Sequence, residues 1–200
     1  MYWNSLSASI TGLSRATSSA FIVSLFFFSL LCGTQAQELE GHKRVRASQY
    51  PVSVLVPSAW ESFTESETDP NEVLFLQTPK GEELDATVTL SAYPLRGNWE
   101  DLVTRQTYHV VVFEGAPLIV DEELTLRGAR GHKWVYKAKG PDGRQNLYYR
   151  LYLVLPESVG ANRLLVMQGV VPDKSGVQAV PTFNALARSL NWGLQADSTL

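Results

Sequence analysis

The chain has 200 residues, 44% of them hydrophobic, 18% charged and 10% aromatic, a composition that excludes both a disordered polyampholyte and a wholly membrane-embedded protein. A formal charge of -3 gives no broad attraction for nucleic acid, which basic domains normally advertise. One cysteine and three histidines leave little material for thiolate or metal chemistry.

The first informative run is Ala20 to Leu31, AFIVSLFFFSLL, uncharged and preceded by a Ser/Thr-rich stretch whose only charged side chain is Arg15. This is the pattern of a secretory h-region behind a weakly basic n-region. A spanning helix needs about 20 apolar residues, so the run is short for an anchor. Small residues at Thr34 and Ala36 set a cleavage site after Ala36, which makes residues 1–36 a signal peptide and the protein an exported, periplasmic one. Two alternatives stay open: acylation at Cys32, against which Leu31 counts because a small residue normally precedes a lipidated cysteine, and retention of the segment as an inner-membrane tether. Cleavage after Ala36 removes Cys32 and with it any disulfide.

Residues 37–49 carry Lys43, Arg44 and Arg46 among polar neighbours and are expected to be an exposed leader. The domain proper is expected over 50–192. It opens with a strand at Pro51 to Val56, where Val52, Val54 and Val56 recur with period two before Pro57. Trp60 and Phe63 follow in a turn. Val73 to Gln77 and Ala86 to Tyr93 predict two antiparallel strands. Asn98 is placed to cap a helix reaching about His109, with Glu100 and Asp101 at its positive end, and Val110 to Phe113 prolong its apolar character. Strands are then expected at Leu118 to Val120, Glu123 to Leu126, Gly131 to Lys139, Gln145 to Leu155 and Arg163 to Val171. Gly140-Pro141-Asp142-Gly143 marks the clearest hairpin. A last helix is expected to start near Pro181 or Thr182, with Phe183, Leu186, Ala187 and Leu190 on one face and Arg188 near its negative end. Residues 193–200 read as a C-terminal tail.

Two helices and six or seven strands, mostly in hairpins, predict an α+β domain: a largely antiparallel β-sheet with helices packed on it. Their order resembles the PsbP-like and DcrB-like domains of the Mog/PsbP superfamily. The resemblance rests on YPVSVLVPSAW, ATVTLSAYPL, the helix NWEDLVTRQT, the hairpin RGARGHKWVYKAKGPDGRQNLYYRLYLVL and the closing segment VPTFNALARSLNW. It implies an α/β/α sandwich over roughly Tyr50 to Trp192 and an accessory or binding role rather than catalysis.

The residues agree with that implication. No HExxH, G-x-S-x-G, Walker A or G-x-G-x-x-G spacing occurs, so no catalytic, cofactor-binding or metal-binding residue is assigned and no cofactor is expected. His42, His109 and His132 are read as structural or surface residues. His109 with Glu114 and His132 with Asp142 are conceivable acid–base pairs, but no spacing makes either converge. The runs Asp121-Glu122-Glu123 and Glu82-Glu83, like Ser158-Val159-Gly160 and Ser175-Gly176, read as loops, and Gly128-Ala129-Arg130-Gly131 as a turn or bulge.

Arg127, Arg130, His132, Lys133, Lys137 and Lys139 form a local basic cluster in an acidic protein. Two readings are open. The cluster is a partner-binding patch that steers an acidic protein or a membrane headgroup, or its lysines guard an exposed sheet edge against pairing. The functional expectation is a secreted, non-enzymatic accessory or binding protein with an envelope protein as partner and no nucleic acid. The alternatives are a secreted hydrolase of unfamiliar architecture and a membrane-tethered envelope domain. The oligomeric state is not legible.

Overall fold

The computed structural model describes residues 41–64, 69–82, 84–159 and 162–193, all within the unit Leu39–Leu200. Residues 1–40, where the expected signal peptide and the start of the expected leader fall, lie outside the described residues, as do 65–68, Glu83, 160–161 and the expected tail 194–200. Ten strands form two antiparallel sheets among the described residues. Strands β1 (His42–Arg46), β2 (Val52–Pro57) and β10 (Asn191–Trp192) make a three-stranded sheet ordered β1-β2-β10. The larger sheet has seven strands, ordered β3-β4-β5-β9-β8-β7-β6. Its members are β3 (Glu61–Phe63), β4 (Glu72–Gln77), β5 (Thr87–Pro94), β6 (Leu118–Leu126), β7 (Ala129–Lys139), β8 (Gln145–Val154) and β9 (Arg163–Pro172). Helix α1 (Trp99–Tyr108) runs into a π-helical turn, His109–Phe113, and α2 (Gly176–Ser189) follows a short 3-10 turn.

Period-two alternation divides the large sheet into two unlike faces. Val88 and Leu90 of β5, Leu147, Tyr149, Leu151 and Leu153 of β8, and Leu165, Met167 and Val171 of β9 point to one side. There they pack with Ala179, Phe183, Leu186, Ala187 and Leu190 of α2 and Val52, Val54 and Val56 of β2. Gly169 is required at this contact, because a Cβ there would sit 2.9 Å from the Phe183 ring. The opposite face carries Trp134, Tyr136 and Ala138, which with Val110 and Ala116 form a second, smaller core beneath α1 and the π turn.

Several local expectations hold. Asn98 caps α1, its Oδ1 accepting from the Glu100 amide at 2.9 Å. The hairpin between β7 and β8 turns at Gly140–Gly143, where the Gly140 amide donates to Arg144 O at 2.8 Å and Gly143 takes φ 77°. Others need correction. His42–Arg46, assigned to an exposed leader, is a strand in register with β2, and Val45 is buried against Val54, because a polar segment needs only one inward apolar residue when its backbone has a ladder to join. Trp60 to Phe63 is not simply a turn: Glu61–Phe63 pairs with β4. The two short strands expected between Leu118 and Leu126 are one strand with a register shift between Leu118 and Val120. Its Asp121-Glu122-Glu123 centre is therefore strand, not loop. Only Arg127-Gly128 turns at the next hairpin, so Ala129 to Gly131 lie in β7. The last helix begins at Gly176 and holds Pro181 in its interior. An interior proline removes one intrahelical bond and disfavours the helix, a cost that the packing of Ala179, Phe183, Leu186 and Leu190 into the core offsets, and Ser175 is a buried N-cap position.

Candidate functional site

The face bearing α1 is only partly covered, and its polar side chains are organised around Arg150. This guanidinium lies 5.3 Å over the Tyr136 ring. It donates through Nη1 to Glu114 Oε1 and through Nε to Gln168 Oε1, both at 3.3 Å. The same Glu114 oxygen is 3.3 Å from His109 Nδ1, so the pairing that the sequence spacing did not bring together is made by the π turn. Concavities of about 640 and 480 Å³ adjoin Arg150 on either side. The first is lined by Phe113, Glu114, Pro117 and Tyr148 beside the β7–β8 hairpin end, the second by hydroxyls of Thr89, Ser91, Tyr93 and Tyr152 with Asp69 and Glu72. Burial pushes the Tyr136 phenol far above the usual tyrosine range, and the Glu114 carboxylate adds to the effect. Burial likewise raises Tyr152.

The π turn also creates the most exposed apolar surface on this face. After Tyr108 the amide of Glu114 reaches back five residues to His109 O at 3.1 Å, a widened turn of the kind often found at functional sites. Val110 drops into the small core, while Tyr108, Val111, Val112 and Phe113 stay exposed. Phe113 is 74% exposed, with its ring stacked on His109 at 5.6 Å. Beside this ridge a groove of about 450 Å³ runs between α1 and the β6–β7 edge, with Asp121 and His132 at its base.

The six basic residues singled out in the sequence do not form one surface. Arg130 and His132 project to the α1 face, whereas Lys133, Lys137 and Lys139 alternate to the other, and Arg127 sits at the β6–β7 turn. Most are matched by carboxylates. Arg130 Nη1 meets Glu100 at 2.7 Å and Nη2 meets Glu123 at 3.5 Å; Lys133 meets Glu122 at 3.0 Å; Lys137 meets Asp173 at 2.6 Å. The Arg130 contact, after the backbone amide at Glu100 itself, lowers the Glu100 carboxyl, and Glu100 in turn raises Arg130. The lysines do not guard an edge, because β7 lies between β6 and β8. The edge on this side is β6, which carries acids of its own: Glu122 stands opposite Lys133 and Glu123 opposite His132, while Asp121, opposite Trp134, reaches His132 diagonally.

His132 pairs with Asp121, Nε2 to Oδ1 at 2.5 Å, not with Asp142. Its ring lies 4.3 Å from Trp134, whose Nε1 donates to Thr107 Oγ1 at 2.9 Å. A His–carboxylate pair is two-thirds of a hydrolase triad, but His132 Nδ1 is buried and bonded to nothing among the described residues. No hydroxyl is therefore positioned as a nucleophile there. Among the described residues no three His, Cys, Asp or Glu side chains gather to hold a metal ion, and no helix is long and apolar enough to cross a membrane.

An antiparallel sheet flanked by α1 and α2, with an aliphatic face and a tyrosine- and arginine-bearing face, defines an α+β sandwich. It is a PsbP-like fold. The solution structure of cyanobacterial PsbP (CyanoP) from Synechocystis sp. PCC 6803 matches with a TM-score of 0.52 and 15% identity, over 80% of this chain and 96% of that one. PA94 from Pseudomonas aeruginosa, a protein of unknown function, matches with a TM-score of 0.49 and 13% identity, over 77% of this chain and 99% of that one. No protein-family model and no curated protein matches the sequence.

Proposed function

We propose that this protein is an exported, non-enzymatic accessory domain that docks onto an envelope protein through the ridge of the π-helical turn. The observation that carries the reading is the exposure of Tyr108 and of Val111, Val112 and Phe113 just after it. Large apolar side chains clustered in water mark interaction surfaces, and aromatic residues anchor protein interfaces. The fold supports the same reading, since the cyanobacterial structure it matches is a PsbP. The missing hydroxyl at His132 Nδ1 speaks against the hydrolase alternative. Export rests on the AFIVSLFFFSLL run and the Thr34–Ala36 site.

Two measurements test this. The N-terminal sequence of the protein from separated envelope fractions should begin at Gln37 in the soluble fraction; a chain acylated at Cys32 or retaining Met1 places the domain on a membrane instead. Affinity capture from envelope extract should recover one specific protein with wild type and lose it with the Val112→Ser, Phe113→Ser double variant at an unchanged melting temperature. Capture that survives the double variant removes the ridge from the reading.

A further inference from the structure

A second cavity, remote in character from the ridge, lies where β1 and β2, the C-terminal half of α2 and the β6–β7 turn meet. It encloses about 510 Å³. Its cationic groups are Arg44, Arg127 and Arg188 with His42, and no carboxylate lines it. On the large sheet Arg130, Lys133, Lys137 and Arg150 each meet a carboxylate. Here three arginines converge on a lining without one, Arg44 donating only to Ser53 Oγ at 3.1 Å, in a chain with 20 acidic residues against 17 basic ones. Arg44, Arg127 and Arg188 are exposed at its rim, where their donors are accessible to an anion.

The backbone at the rim of this cavity is also unusual. Arg127 has φ 47°, in the left-handed region that disfavours side chains with a Cβ. It occupies the first position of a two-residue hairpin turn, Leu126 opposite Ala129, where Asn, Asp or Gly is the usual choice. A strained arginine at the mouth of a cationic cavity is the kind of outlier from which a functional constraint is inferred. Arg188 alone has another explanation, since it lies in the last turn of α2 and complements the helix dipole. That explanation does not reach Arg44, Arg127 or His42.

The other walls are Leu55, Pro57, Ala185 and Leu186, so the cavity offers apolar contact beneath its guanidinium rim. We infer that this cavity binds a small organic anion, an oxyanion headgroup joined to an apolar body, held by Arg44, Arg127 and Arg188. Guanidinium groups pair with carboxylate and phosphate in planar, bidentate fashion, and the volume lies in the range of small-molecule sites.

The test is isothermal titration of the purified protein with octanoate and octyl phosphate, each below its micelle concentration, with inorganic phosphate and octanol as headgroup-only and tail-only probes. At least one amphiphilic anion should bind saturably at one site, tighter than either control. Arg127→Asn, which suits the positive φ, and Arg188→Gln should each weaken it about tenfold or more, while Arg144→Gln, at the distant β7–β8 turn, should not. Melting curves of the three variants confirm that each is folded. The inference is overturned if neither amphiphile binds at millimolar concentration, if octanol binds equally well, or if Arg127→Asn and Arg188→Gln bind as Arg144→Gln does. Binding to phosphatidylglycerol vesicles without binding to the soluble probes also overturns it, since the anion is then a bilayer surface.

Discussion

The two faces of the seven-stranded sheet are built from alternate residues of the same strands, yet they are made of different chemistry. On β8, Leu147, Tyr149, Leu151 and Leu153 face α2, while Tyr148, Arg150 and Tyr152 face the α1 side. The first set is dry and interlocked with one helix and the small sheet. The second is bridged by polar contacts, half covered by a short helix, and ends in an exposed apolar ridge. Where burial is complete, apolar packing provides stability at little conformational ambiguity. Where a face must meet another molecule, polar side chains have to be satisfied one by one, and Arg150 is satisfied by Glu114 and Gln168.

This contrast predicts a graded set of effects. The largest belongs to the α2 face. Phe183→Ala should cost about 3 to 5 kcal/mol in denaturant unfolding, because Phe183 is fully buried and seated on Gly169; a loss below 1 kcal/mol breaks the view that this face carries stability. On the other face, Glu114→Gln leaves the half-buried Arg150 without its carboxylate and should cost about 1 to 2 kcal/mol, read by the same measurement. An equal or larger loss than for Phe183→Ala inverts the comparison.

Alkaline unfolding addresses both faces at once. Burial raises the phenols of Tyr136, on the α1 face, and Tyr149, on the α2 face, above the unfolded value of about 10. A phenol that stays protonated in the folded state but ionises on unfolding stabilises the fold fully below about pH 10, and this stability is lost as pH rises through the folded value. Each such tyrosine should lower the unfolding free energy by about 1.4 kcal/mol per pH unit above pH 10. Tyr136→Phe and Tyr149→Phe should each remove one such contribution. A flat profile between pH 9.5 and 11 contradicts their burial. The smallest effect concerns α1 itself: Asn98→Ala removes the cap on the Glu100 amide and should cost about 1 kcal/mol by thermal denaturation, with Asn98→Asp close to neutral.

Much of the fold was legible in the sequence because its signals are local. The Gly140–Gly143 hairpin, the Asn98 cap and the period-two runs of β2, β5, β7, β8 and β9 each report on neighbours along the chain. Strand β1 was missed because its pattern has one buried position, Val45, and its reason for being a strand is β2. The candidate sites were less legible. The basic run from Arg127 to Lys139 looked like one patch, but alternation sends its members to both sides of β7, where carboxylates meet Arg130, His132, Lys133 and Lys137. The π turn was visible only as an apolar continuation of α1, since the sequence does not say which of Val110 to Phe113 are buried. His42, Arg44, Arg127 and Arg188 came from a presumed leader, a turn and a helix end, with no spacing to connect them.

Most extended segments, most turns and the aliphatic face made by alternate strand residues are written in local pattern, because backbone preference and side-chain periodicity act over a few residues. Which charges are neutralised, which apolar side chains remain in water and which cations gather around a cavity are set by the three-dimensional arrangement alone. Those outcomes depend on pairing between strands distant in the chain, where a carboxylate or an empty space at one register position sets the electrostatics of residues that no local pattern relates.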